Sequence, residues 1–370
     1  MRVAIVGAGP IGLEAAARLL ADGHDVSVYE AGEPGAAVRT WAHIRMFTPW
    51  SMSTTARGRA LVGTPELDDP TRFPFGQELV DRYLAPLARH LPIHAHHRVI
   101  GVSRTTLKKA APLGARRASD AFRLMIEGPR GEMDVVADAV IDCTGVFGDR
   151  VPTGAGGLPA LGERNLGPGR LLHAPAHVEH LGGKRVLVIG DGASACTALV
   201  SLQALDPAPA ITWLGRAEAG PAFVSPAEDP LPDRRALYLA ARAAKDEVRH
   251  LVGVVIQAYV EGPNGVEVRL SSGETLIVDH IVACCGFRPD LNLTRELQVH
   301  HCYASEAPMK LAAALQPDGD CLTPKASGAD LLVNPEPRFF VLGNKSYGRR
   351  GDFLLADGFR QVEEVASLLA

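Results

Sequence analysis

An α/β fold of two three-layer domains, each built on a parallel sheet, is predicted by three features of the sequence. The β-branched run from Arg2 to Val6 leads into Gly7-x-Gly9-x-x-Gly12 and then an Ala/Leu-rich stretch that favours helix. The same succession of strand, glycine turn and small-residue helix returns at Gly190-x-Gly192-x-x-Ala195. Each copy then enters a second apolar strand, at 24–30 and at 211–216, and strands alternating with helices imply parallel pairing.

The elements follow in order. The first helix covers 14–22 and stops at Gly23, the usual place for a glycine after a helix. Alternating runs at 97–105, 121–127, 132–137 and 139–143, punctuated by Gly128-Pro129 and Gly131, predict a small antiparallel meander. Residues 151–170 are rich in glycine and proline and predict a linker. After the second glycine turn, strands are expected at 253–260, 266–270 and 276–282, with Asn264-Gly265 as a hairpin signal. A late strand at 338–343 and a closing helix at 353–369 complete the chain. The expected domain segments are 1–150, 151–285 and 286–370.

Composition excludes several classes of function. The chain has 370 residues, 46% hydrophobic and 22% charged, which is enough apolar matter for a sizeable core and argues against disorder. A net charge of -4 with a pI near 6.4 lacks the basic balance of a nucleic-acid binder. No apolar run reaches the roughly 18–20 residues that span a bilayer, and mean hydropathy is only +0.05. The six cysteines, Cys143, Cys196, Cys284, Cys285, Cys302 and Cys321, are too scattered for a disulfide framework. With no signal-peptide pattern before the first strand, a cytoplasmic location is expected.

The glycine turns carry the chemistry. In such a turn the first glycine makes the tight bend, the second lets backbone approach a pyrophosphate, and the third allows close helix–strand packing. The helix N-terminus then offers N–H groups and a positive dipole end to phosphates. Gly7, Gly9 and Gly12 meet this pattern, and Glu30 ends the next strand, where a carboxylate accepts from ribose hydroxyls. Gly190, Gly192 and Ala195 repeat it, with Ser194 in the helix start. Here the second strand ends on Arg216, whose guanidinium suits a 2′-phosphate and favours NADPH over NADH; a solvated surface arginine is the alternative. Both domains are thus Rossmann-like.

Two such turns in one chain resemble the two-dinucleotide-binding flavoproteins, and more narrowly the flavin-containing monooxygenase and thioredoxin-reductase-like groups. The resemblance implies FAD on the N-terminal turn and NADPH on the inserted one. Further stretches carry it. Ile141-Asp-Cys-Thr144-Gly145 and Val282-Ala-Cys-Cys-Gly286 look like the family's two strand-end Ala-Thr-Gly turns, where the chain crosses between domains. Residues 30–41 resemble a Glu…Gly-Gly-x-Trp stretch with one glycine lost, which would bring Arg39 and Trp41 near the flavin. Gly167, Gly169, His173 and His177 stand in register with the monooxygenase fingerprint, whose two aromatics are replaced. Gly343 and Asn344 fall where the family has a Gly-Asp on the ribitol, and Gln361 lies in the helix aimed at the flavin.

What the resemblance implies is an FAD-dependent, NADPH-using oxidoreductase. The expectation is a single-component monooxygenase that passes oxygen to a small substrate through a flavin C4a-(hydro)peroxide. The alternatives are an NADPH-dependent reductase of a quinone, disulfide or carrier protein, and a non-catalytic flavin-binding redox sensor. Molecular oxygen and a small molecule are the expected partners, with neither nucleic acid nor membrane. No catalytic acid or base stands out and no metal site is expected. No Cys-x-x-Cys is present to form a dithiol relay. Oligomeric state is left open, a homodimer included.

Overall fold

The computed structural model describes residues 1–215, 229, 231–315 and 328–370. In chain order the first elements are β1 (Arg2–Val6), α1 (Pro10–Ala21), β2 (Asp25–Tyr29) and β3 (Ile93–His94). Next come β4 (Arg98–Arg104), β5 (Phe122–Gly128), β6 (Gly131–Ala137) and β7 (Ala139–Asp142). They are followed by β8 (Leu171–His173), β9 (Arg185–Ile189), α2 (Ala193–Gln203), β10 (Ala210–Gly215) and α3 (Pro232–Ala244). Then come β11 (Arg249–Val252), β12 (Ile256–Gly262), β13 (Gly265–Leu270), β14 (Thr275–Val278) and β15 (His280–Ala283), and finally β16 (Phe339–Val341) and α4 (Leu355–Leu369). Contacts divide the chain into two compact units, 1–149 with 287–370, and 150–286. Among the described residues no helix is long and apolar enough to cross a membrane.

The first unit is a parallel five-stranded sheet in the order β16-β7-β1-β2-β3. One face carries α1 and α4, which bury Leu13, Ala16, Val362 and Val365 against Val3, Ile5 and Ile141. The other face carries the antiparallel sheet β4-β5-β6, whose Phe122, Leu124 and Ile126 meet Ala4, Val6 and Val140. The sequence predicts 139–143 as part of this meander; the structure instead puts β7 inside the parallel sheet, between β16 and β1. All four of its residues are buried, and a continuous apolar run is the mark of a strand covered on both faces.

The second unit repeats the plan. Its parallel sheet runs β11-β10-β9-β15-β8. Ala195, Leu199 and Leu202 of α2 pack on Val186 and Val188 from one side. Val266, Val268 and Val278 of the antiparallel sheet β12-β13-β14 pack on Leu187 and Ile189 from the other. The expected strand at 276–282 is two strands, β14 antiparallel and β15 parallel, broken at Asp279. β8 and β11 have no counterpart in the sequence reading.

Asp279 shows how far the repeat extends. Its carboxylate accepts from the Arg185 main-chain N–H at 2.8 Å and the guanidinium at 2.6 Å, which hold it down at about 2. Asp138 does the same for Arg2 in the first unit, at 2.8 Å on both contacts. In each unit this pair pins the start of the first central strand beside the start of its neighbour, β7 or β15.

The stretch at 151–170 is not a linker. It packs along β12, with bridges Gly154 to Ile256 and Leu161 to Ala258. The buried Glu163 gathers the N–H of Thr153 (3.1 Å), the Thr153 hydroxyl (2.9 Å) and the N–H of Ala160 (2.8 Å). Gly162 serves close approach: a β-carbon there would overlap the Tyr259 carbonyl oxygen.

A buried triad closes the first unit. Glu336, with no exposed surface, accepts from Arg104 at 2.7 Å, from Arg117 at 2.6 Å and from the main-chain N–H of Gln298 at 2.7 Å. One carboxylate so joins β4, the short helix Ala115–Ser119 and the returning C-terminal segment. Glu336→Gln removes the charge that both guanidinium groups face. Orphaning buried charge costs about 3–5 kcal/mol, so the variant is expected to lose stability on that scale in urea unfolding. A loss below about 1 kcal/mol, the scale of an exposed pair, would show that water reaches the triad.

Candidate nucleotide-binding site

Each unit presents one glycine turn at the carboxyl end of its first central strand. In open α/β sheets ligands bind in the crevice beyond these strand ends. The three glycines of the first turn face different surroundings. Gly7 has φ +100, and a β-carbon there would lie 2.7 Å from the Cys143 carbonyl oxygen. A β-carbon on Gly12 would overlap the Gly7 carbonyl oxygen. These two are required by the chain's own packing. Gly9 is not: its φ is −76, an ordinary value, and a β-carbon would meet nothing within 4 Å. The open space lies at the N-terminus of α1, where Gly9 is the cap residue and no side chain caps the helix. That arrangement leaves leading N–H groups for a phosphate.

Glu30 closes the turn from the end of β2. Its carboxylate accepts the Ala8 N–H at 2.7 Å and the Gly32 N–H at 2.8 Å. A carboxylate has about four lone-pair sites, so it could still take ribose hydroxyls. The site residues therefore fit a dinucleotide: an uncapped helix end, a side-chain-free approach and an acceptor beside it.

The second turn has the same construction. Gly190 has φ +118, and a β-carbon would lie 2.5 Å from the Cys284 carbonyl oxygen. Gly192 caps α2 with φ −85, again with nothing within 4 Å of a β-carbon. Ser194 is exposed on the first turn of α2 and Ala195 is fully buried. The turn is braced by Trp213, whose indole N–H donates to the Gly190 carbonyl at 2.7 Å. Arg216, the expected 2′-phosphate partner, lies outside the described residues.

The remaining expected residues of the first unit fall into two groups. Thr144, Gly145, Gly343 and Asn344 stand together in the turns that end the adjacent strands β7 and β16. Gly145 (φ +66) faces open space, Gly343 packs on Ile11 of α1, and the half-buried Asn344 amide makes no hydrogen bond to described residues. Gln361 is turned inward: its amide oxygen accepts the Gly343 N–H at 2.8 Å and its nitrogen meets the Ser346 hydroxyl at 2.8 Å. It shapes the turn from below. Arg39 is exposed and 3.6 Å from Asp81, and Trp41 packs its ring over Gly76.

Sequence reasoning missed the most buried charges here. Lys345 and Asp142 form an ion pair at 2.6 Å at these strand ends. The only signal was a single acid ending an apolar strand and a single lysine just after another apolar strand. The described cysteines are all free thiols. Burial pushes Cys196 up to about 12 and raises Cys143 and Cys284 as well. Thiols so placed are poor nucleophiles.

Comparisons with known proteins agree with this geometry. No curated protein matches the chain in sequence. Among solved structures, the bacillithiol disulfide reductase of Bacillus cereus is similar at 19% identity and a TM-score of 0.74, covering 100% of this chain and 99% of that one. The T. acidophilum thioredoxin reductase is similar at 16% identity and 0.64, covering 99% and 98%. A mutant flavin monooxygenase of Stenotrophomonas maltophilia is similar at 21% and 0.61, covering 100% and 99%. At these identities the likeness is one of fold. Residues 1–303 match the family model described as pyridine nucleotide-disulphide oxidoreductase. With both glycine turns inside the matched residues, the chain belongs to the pyridine nucleotide-disulphide oxidoreductase family, whose members use FAD and NAD(P)H.

Proposed function

We propose that this chain is an NADPH-dependent FAD oxidoreductase that oxygenates a small substrate, with FAD in the first unit and NADPH in the second. The observation that carries the assignment is the pair of glycines, Gly9 and Gly192, that the fold itself does not need. On this reading the α1 N-terminus binds the FAD pyrophosphate, Glu30 holds the adenosine ribose, and Thr144, Gly145, Gly343 and Asn344 line the path of the ribityl chain. Bound FAD supplies the capacity to accept hydride from NADPH and pass electrons onward. The protein's part is to orient the two nucleotides and keep water from the reacting edge.

Monooxygenation is favoured over thiol exchange by the cysteines. No Cys-x-x-Cys occurs in the sequence, and a dithiol relay needs an attacking and a resolving thiol side by side. A second reading, reduction of a small disulfide without an internal relay, is favoured by the whole-chain likeness to the bacillithiol disulfide reductase. Oxygen distinguishes the two. Protein reduced anaerobically with NADPH and then mixed with oxygen is expected to regain its oxidised flavin spectrum in two phases, releasing little hydrogen peroxide when substrate is present. A single phase with stoichiometric peroxide would favour the reductase.

The nucleotide preference rests on Arg216. A charge-assisted hydrogen bond contributes ~1.5–3 kcal/mol, so Arg216→Ala is expected to weaken NADPH use by about ten- to a hundred-fold while leaving NADH use unchanged. Equal use of both nucleotides by the wild type would contradict the NADPH assignment.

A further inference from the structure

We propose that Lys345 is a positioning residue for the flavin nucleotide, tying the turn after β7 to the turn after β16 so that FAD affinity depends on the tie. The inference rests on the reading that the first unit holds FAD.

The ammonium of Lys345 is 2% exposed and the Asp142 carboxylate is fully buried. The lysine donates to Asp142 at 2.6 Å and to the Thr144 hydroxyl at 3.0 Å. Thr144 in turn donates to Asp142 through its hydroxyl, at 2.7 Å, and its main-chain N–H, at 3.1 Å. The Asp142 carbonyl accepts the Leu342 N–H at 2.9 Å. One lysine thus gathers the end of β7, its following turn and the turn after β16. The first of those turns stands directly beside the end of β1, from which the Gly7–Gly12 loop springs, the second lies one strand further out, and Gly343 of the second packs directly on Ile11 of that loop's helix.

Two neighbouring ionisable groups feel the charges of the pair. Burial and the Asp142 charge raise the Cys143 thiol, and burial with the Lys345 charge brings His301 down to about 4. His300 and Lys109 act only more weakly, on His301. A buried ion pair contributes little net stability compared with apolar residues of similar volume. Its use here is geometric: it sets the spacing of two loops whose main chain must meet a ligand.

The test separates affinity from stability. Holoprotein is diluted and FAD release is followed by flavin fluorescence, with thermal unfolding measured in parallel. Lys345→Met is expected to weaken FAD binding at least tenfold and to lower the melting temperature, because Asp142 is left buried without its partner. Lys345→Met combined with Asp142→Asn removes both charges; it is expected to recover most of the melting temperature while FAD binding stays at least tenfold weak. Should the single variant not fold, the double variant carries the test. Wild-type FAD affinity in the double variant would overturn the proposal and leave the pair a structural one. Wild-type protein that binds no FAD would instead overturn the assignment of the first unit, and the tie with it.

Discussion

The structure depends on one close approach, made twice. In each unit the first glycine of the turn lies against the carbonyl of the neighbouring strand's end, Cys143 for Gly7 and Cys284 for Gly190, at distances no β-carbon could share. The main chain continues the contact: the Cys143 N–H donates to Val6 and the Cys284 N–H to Ile189, both at 2.8 Å. Gly7 and Gly190 themselves donate to Tyr29 and Leu214, at 2.8 and 2.9 Å. Three parallel strands are therefore locked together at the point where the chain must turn into a helix. The uncapped helix end and the open space above the second glycine follow from that lock.

The Arg2–Asp138 and Arg185–Asp279 pairs secure the opposite ends of the same strands. Both units thus reuse one device at the amino ends and another at the carboxyl ends, although little of the intervening sequence aligns. Exposed pairs of this kind add little stability. Their geometric effect is on register, since each also binds the first strand's main-chain N–H.

Much of this was legible in the sequence because it depends on local residue types. Glycine at positive φ or in tight contact has no substitute, so Gly7, Gly12 and Gly190 announce themselves, as does Glu30 by its distance from the turn. What escaped depends on partners remote in sequence. β7 reads like one more meander strand until β1 and β16 are found on either side of it. The 151–170 stretch reads as a linker because its glycines and prolines look permissive, whereas Gly154 lets the stretch fold back on residues 158–160 and Gly162 lets β12 approach. Lys345 and Asp142 are 203 positions apart, and a buried lysine cannot be told from a surface one without its carboxylate. Gln361 is expected from the helix that carries it, whereas its bonds to Gly343 and Ser346 depend on partners 15 to 18 positions away.

The central claim is that the two turns hold different nucleotides, and that Gly9 and Gly192 are kept for those ligands. Both positions have ordinary φ and open surroundings, so valine at either should fold normally. The most direct measurement is therefore the flavin content and anaerobic NADPH reduction of Gly9→Val and Gly192→Val, each with an unchanged circular dichroism spectrum. The account predicts colourless Gly9→Val protein, and yellow Gly192→Val protein that dithionite bleaches but NADPH does not. Folded Gly192→Val protein that lacks flavin, or that NADPH reduces at the wild-type rate, would contradict it.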